Sequence, residues 1–162
     1  MSRIDNEIRV SRSVLDRLID LEPRMSQEPP RTVSTSLAEL KQAVRRDLEW
    51  LLNSRSFYDS GDGGLEESLK SVAFYGLPDF TGVSPNSSVE RARMTEAIQA
   101  AIRNFEPRFT NVVVSLEPIN NLERILKFRI QATLDIEPVP EAVVFDTVLQ
   151  MGSGNFEVKE SA

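Results

Sequence analysis

With 162 residues, 40% of them hydrophobic and 27% charged, the chain has the composition of a soluble globular domain that can bury a core without disulfides or metals. It contains no Cys and no His, which removes thiol nucleophiles, histidine bases and His/Cys metal sites and leaves carboxylates, Lys, Tyr and Ser as possible chemical actors, with no cofactor expected. Its 19 Lys+Arg against 25 Asp+Glu give a net charge of -6, which argues against nucleic acid as the main partner and suits a basic protein surface.

No stretch approaches the ~20 uninterrupted apolar residues of a membrane helix, and the segment Met1 to Glu7 lacks the apolar centre of a signal peptide. The expected location is therefore the cytoplasm, without membrane insertion. Residues 1 to 12 are polar, with scattered Ile4, Ile8 and Val10, and are expected to form a mobile or partner-ordered tail. A short amphipathic helix begins at Ser13, with Val14, Leu15, Leu18 and Ile19 on one stripe. Pro23, Pro29 and Pro30 then mark an extended linker, so that residues 13 to 34 form a helix-plus-linker unit ahead of a main domain over 35 to 159.

Ser36-Leu37-Ala38-Glu39 has the pattern of a capping box, and the helix it predicts carries Leu37, Leu40, Val44, Leu48, Leu51 and Leu52 on its apolar stripe through Asn53. Residues 54 to 64 read as a loop whose flexible point is Ser60 to Gly64. Leu65 to Phe74 predicts a short helix, with Gly76 placed to end it in a left-handed conformation. The apolar loop Leu77 to Gly82 should pack instead of facing solvent. A second capping box, Ser87-Ser88-Val89-Glu90, starts a helix that runs to Phe105.

Pro107 ends that helix, because its ring disfavours the α conformation at Glu106 and it has no N–H to donate. A strand pattern through Val112, Val114 and Leu116 follows. The clearest alternation in the chain lies between Arg124 and Ile136, with Leu126, Phe128, Ile130, Ala132, Leu134 and Ile136 on one face. Asn120-Asn121 marks the turn of the hairpin joining these two strands. Val143 to Met151 predicts a third strand, and Asn155 to Val158 a short edge strand beyond Gly152-Ser153-Gly154. Helices first and a strand meander last give an α+β architecture, a single domain with helices covering one face of an antiparallel sheet of three to four strands.

Three groups of residues carry the functional possibilities. Glu106 and Arg108 flank a rigid corner, where they act either as a helix stop with two surface charges or as a positioned charged contact. The same triplet recurs at Glu22-Pro23-Arg24. Arg46, Asp47 and Trp50 lie on the second helix as either a solvated face or a partner-binding face, Trp and Arg being the residues most enriched in interface hot spots. Glu106 and Asp79 together form the one enzymatic hypothesis, a carboxylate pair acting as acid and base on a glycosidic bond, as a muramidase-like peptidoglycan hydrolase would.

Leu15-Asp16-Arg17-Leu18, Arg46-Asp47-Leu48-Glu49 with Leu51-Leu52-Asn53, Tyr75-Gly76-Leu77-Pro78-Asp79-Phe80, Phe105-Glu106-Pro107-Arg108 and Phe145-Asp146-Thr147-Val148-Leu149 stand in the order and at about the spacing of the TssE family. The chain resembles that family, the type VI secretion baseplate subunits of the phage-tail baseplate wedge, "lysozyme-like" group, from Leu15 to Val158. The resemblance implies a structural, non-enzymatic part of a cytoplasmic contractile injection machine at the inner face of the cell envelope. It implies TssF, TssG and TssK as baseplate partners, contact with the sheath subunits TssB/TssC and with inner-tube or spike proteins, and a sheet that templates sheath polymerisation. It places Glu106, Pro107 and Arg108 at the contact with the wedge core; beside the resemblance, Arg46, Asp47, Trp50 and Asp79 are expected as further partner-binding residues. A small regulatory adaptor of the same fold is the remaining alternative.

Overall fold

The computed structural model describes residues 13–19, 23–24, 33–57, 67–80, 82–84, 86–117, 125–137 and 139–161. The expected tail over 1–12, most of the linker over 22–34, the flexible point at 60–64 and the Asn120-Asn121 turn lie outside them.

The strands form where the sequence alternates. β1 (Phe109–Leu116), β2 (Ile125–Leu134), β3 (Glu141–Gln150) and β4 (Asn155–Glu160) pair antiparallel in chain order to make a four-stranded meander. β2 pairs with β3 without a register break from Ile125↔Gln150 to Leu134↔Glu141. Leu126, Phe128, Ile130, Ala132 and Leu134 therefore share one buried face with Val143, Phe145 and Leu149. β1 is irregular. Its pairing with β2 shifts between Thr110 and Val113, and Asn111 takes φ 52, so the bulge places both Phe109 and Val112 toward the core although they are three residues apart.

The helices α2 (Val33–Asn53) and α3 (Ser88–Phe105) bring Val44, Leu48, Leu52, Met94, Ile98 and Ile102 against that face, all fully or almost fully buried. α3 starts as its sequence predicts, with the Ser87 hydroxyl accepting from the Glu90 N–H at 3.4 Å. α2 starts earlier than its sequence suggests. It begins at Val33, leaving Ser36 inside the helix and not at its cap. The cap preference amounts to only ~1 kcal/mol, and no proline lies between Pro30 and Val33 to stop the helix extending toward its N-terminus.

One further expectation is corrected. The segment before Gly76 is not an α-helix but two 3-10 turns, Ser68–Lys70 and Val72–Phe74, separated by Ser71 in an extended conformation. Val72 is 90% exposed, so no apolar stripe stabilises so short a helix. The first helix, α1 (Val14–Leu18), does form, capped by Ser13, but its stripe does not enter the core: Val14 is 72% and Leu18 77% exposed.

The loop after Gly76 packs as its apolar content predicts. Leu77 is fully buried and forms an isolated parallel bridge with Arg55, exchanging Leu77 N–H to Ser54 O (2.9 Å) and Ser56 N–H to Leu77 O (2.9 Å). The approach requires glycine at 76, where φ is +110 and a Cβ would meet Ser54 O at 2.5 Å.

Candidate functional site

The corner between α3 and β1 is built by its own backbone. Glu106 caps α3, its N–H reaching Ile102 O at 2.9 Å, and its carbonyl accepts from Phe109 N–H at 3.2 Å. That contact closes a four-residue turn with Pro107 at the second position, where the fixed φ of proline is already correct. Arg108 O then accepts from Asp135 N–H at 2.9 Å, which fastens the turn to the end of β2.

The side chains of this turn face inward and sideways to α2. Glu106 is 4% exposed, and both of its carboxylate oxygens are taken by Arg108: Oε1 by Nε at 2.6 Å and by the backbone N–H at 3.2 Å, Oε2 by Nη2. Nη2 also donates to Asp47 Oδ2 at 2.7 Å, across 61 residues of sequence. The other oxygen of Asp47 accepts from Arg46 Nε and Nη2 at 3.0 and 2.7 Å, and the same Nη2 reaches Asp16 Oδ1 on α1 at 2.8 Å. Asp16, Arg46, Asp47, Arg108 and Glu106 thus form one alternating series of charges, linking α1, α2 and the corner. The Arg46 guanidinium lies 5.0 Å above the Trp50 ring, and Trp50 is 52% exposed at the rim.

The electrostatics follow from this chain of contacts. Burial works against the charged form of Arg108, but its bonds to Glu106 and then to Asp47 outweigh that cost and push its pKa above the ordinary guanidinium value. Burial likewise opposes ionisation of Asp16, yet the hydrogen bonds from Ser13 and Arg46 hold its pKa below the usual carboxylate value. Tyr75, whose ring meets Phe105 edge-on at 5.3 Å, has its phenol pKa raised by burial and by the charges of Asp47 and Glu106. Among the described residues Arg108 Nη1 is buried and has no acceptor.

Five of the residues singled out from sequence, Glu106, Arg108, Arg46, Asp47 and Trp50, therefore meet in one place, with Pro107 as their corner. Asp79 does not join them. It lies on the Gly76 to Phe80 loop with its side chain 66% exposed, 3.8 Å from Arg55 Nε. A general acid on a glycosidic bond needs a carboxyl open to the sugar, whereas Glu106 is enclosed and doubly occupied by Arg108. Asp16 was absent from the sequence-derived site. Its signal was the Ser13-x-x-Asp16 spacing, which fixes the carboxylate at a helix start: Ser13 Oγ donates to Asp16 Oδ2 at 2.6 Å and accepts from Asp16 N–H at 3.1 Å.

The outer edges of the sheet are also occupied. On β4, Asn53 accepts from Phe156 N–H at 2.8 Å and donates to Phe156 O at 2.9 Å, and Arg45 donates to Val158 O at 3.2 Å. On β1, Gln99 accepts from Val114 N–H at 3.1 Å and Arg103 donates to Val112 O at 3.0 Å. The edge strand predicted at Asn155 to Val158 is thus covered by α2.

Among the described residues no helix is long and apolar enough to cross a membrane. Residues 38–139 match the model of a family described as baseplate wedge protein gp25, a span that contains the whole corner network except Asp16. No curated protein and no solved structure matches the chain.

Proposed function

Because the chain belongs to the baseplate wedge protein gp25 family, we propose that it is the TssE-type subunit of a type VI secretion baseplate, working in the cytoplasm without catalytic activity. Family membership supports a structural role in a phage-tail-like baseplate, with other baseplate components as partners. The proposed partners are TssF and TssG, with TssK nearby, and the proposed task is to start polymerisation of the TssB/TssC sheath beside the inner tube and spike.

The observation that carries the reading is the position of the charge network inside the matched stretch. Glu106, Pro107 and Arg108 make a rigid corner, Arg46 and Asp47 extend it along α2, and the half-exposed Trp50 ring sits over the Arg46 end. A pre-ordered cluster of this kind loses little side-chain entropy when a partner docks on its rim. Trp50 is the anchor in this reading and Arg46 its charged neighbour, while Glu106 and Arg108 hold the platform in shape. Asp79 offers a separate exposed charge on the far loop.

Co-purification with TssF and TssG tests the assignment. The wild-type chain should be retained by the pair. Trp50→Ala should weaken retention by more than about tenfold while leaving the circular dichroism spectrum and melting midpoint near wild type, since hot-spot aromatics contribute ~2 kcal/mol or more to an interface. A wild-type chain that does not co-purify, or a deletion strain that still forms fluorescent sheaths, refutes the proposal.

A further inference from the structure

α2 runs alongside β4 in the opposite direction, and residues at helical spacing meet the strand in reverse order. Lys41 Nζ lies 3.6 Å from the Glu160 carboxylate, Arg45 Nη1 donates to Val158 O, and Asn53 meets Phe156. The register Thr147↔Val158 and Leu149↔Phe156, with Ser161 N–H bonding Val144 O at 3.0 Å, leaves the backbone groups of Phe156 and Val158 pointing away from β3. Those are the groups that an added strand would use. A carboxamide presents one donor and one acceptor, as a peptide group does, and the Asn53 side chain fills both positions of Phe156 at once.

We propose that Asn53, flanked by Arg45, is a removable latch that stands in for an incoming strand on β4, so that the edge is closed in the free chain and opens only when an extended partner segment displaces it. β4 is the favoured edge because β1 carries the bulge at Asn111, which twists that border away from a regular ladder. The latch is suited to displacement. Asn53 is an exposed residue at the end of its helix, and Arg45 has a side chain 37% exposed. A strand pairing with Phe156, Val158 and Glu160 replaces the lost bonds and adds others. The nature of the displacing segment, a strand of a baseplate or sheath protein, rests on the proposed function. The latch does not.

Amide hydrogen exchange on the full chain, read residue by residue by NMR, tests it. In Asn53→Ala the Phe156 amide should exchange more than about tenfold faster than in wild type, with the Ile130 amide in the sheet centre unchanged. The opened edge should also pair with that of a second copy, giving a concentration-dependent dimer by light scattering where the wild type stays monomeric. Asn53→Asp, which keeps the acceptor for the Phe156 N–H, should keep that amide protected and thereby separate loss of the latch from loss of the helix end. An unchanged Phe156 exchange rate in Asn53→Ala, or a wild-type chain that already dimerises through β4, overturns the proposal. Failure of the baseplate assignment would appear elsewhere, as loss of TssF/TssG retention by the wild type.

Discussion

Two places in this protein pair an arginine with a carboxylate, and they use the pair in opposite ways. At Glu106 to Phe109 the charges are enclosed and make the structure: Arg108 joins two carboxylates from different parts of the chain at 2.6 and 2.7 Å. At Gly76 to Phe80 the backbone makes the structure, through the close approach to Ser54 and the buried Leu77, while Arg55 and Asp79 face solvent 3.8 Å apart. An ion pair becomes a structural element where elements converge around it. Where they do not, it remains a surface charge.

Removing the enclosed charge should produce the largest effect. Arg108→Ala leaves Glu106 buried without a counter-ion and is expected to cost ~3 to 5 kcal/mol, measured as a lowered midpoint in urea. In the other loop the sensitive position is the glycine and not the charge. Gly76→Ala is expected to cost ~1 to 3 kcal/mol from the positive φ, with the contact to Ser54 adding to it, and a melting curve within a degree of wild type would contradict the close approach. At the outer end of the network, Asp16→Asn should cost ~0.2 to 1 kcal/mol and free α1 to digestion by trypsin.

Acid sharpens the same point. The pKa of Asp16 is lowered in the folded chain, so its contribution is present above the ordinary carboxylate value and is lost as pH falls through the folded value. Loosening of α1, followed by NMR of Val14 and Leu18, should therefore set in only below the ordinary carboxylate value, and should begin at higher pH in Arg46→Met. The smallest effect belongs to Asp79→Asn, expected within ~0.5 kcal/mol of wild type because its side chain is 66% exposed to solvent. A larger loss there would erase the contrast between the two loops.

Most of the framework was legible in the sequence because it depends on local periodicity. The alternation of Leu126 to Leu134, the α2 stripe and the Ser87 cap are each decided within a few residues. The α2 start was misread because a capping pattern at Ser36 is a preference that an uninterrupted helix can override. Residues 65 to 74 were misread because a few apolar residues at helical spacing do not suffice when Val72 has nothing to pack on. The charge network was half legible. Its members stood out by type, but the pairing of Arg108 with Asp47 depends on how α2 and the corner meet in three dimensions, and so does the coverage of Phe156 by Asn53. α1 shows the converse limit: an amphipathic stripe was readable, yet it is the polar Asp16 that fastens this helix to α2.

The bulge at Asn111 has a consequence for how the chain tolerates changes in length. Phe109 and Val112 both point inward only because one extra residue is counted between them. Deleting Asn111 would return β1 to strict two-residue phase. Phe109 and Val112 would then stand two residues apart and both still point inward, so the core phase would be kept while the bulge and its local twist were lost. A deletion that elsewhere in the strand would turn its inward residues outward is thus absorbed at this one position.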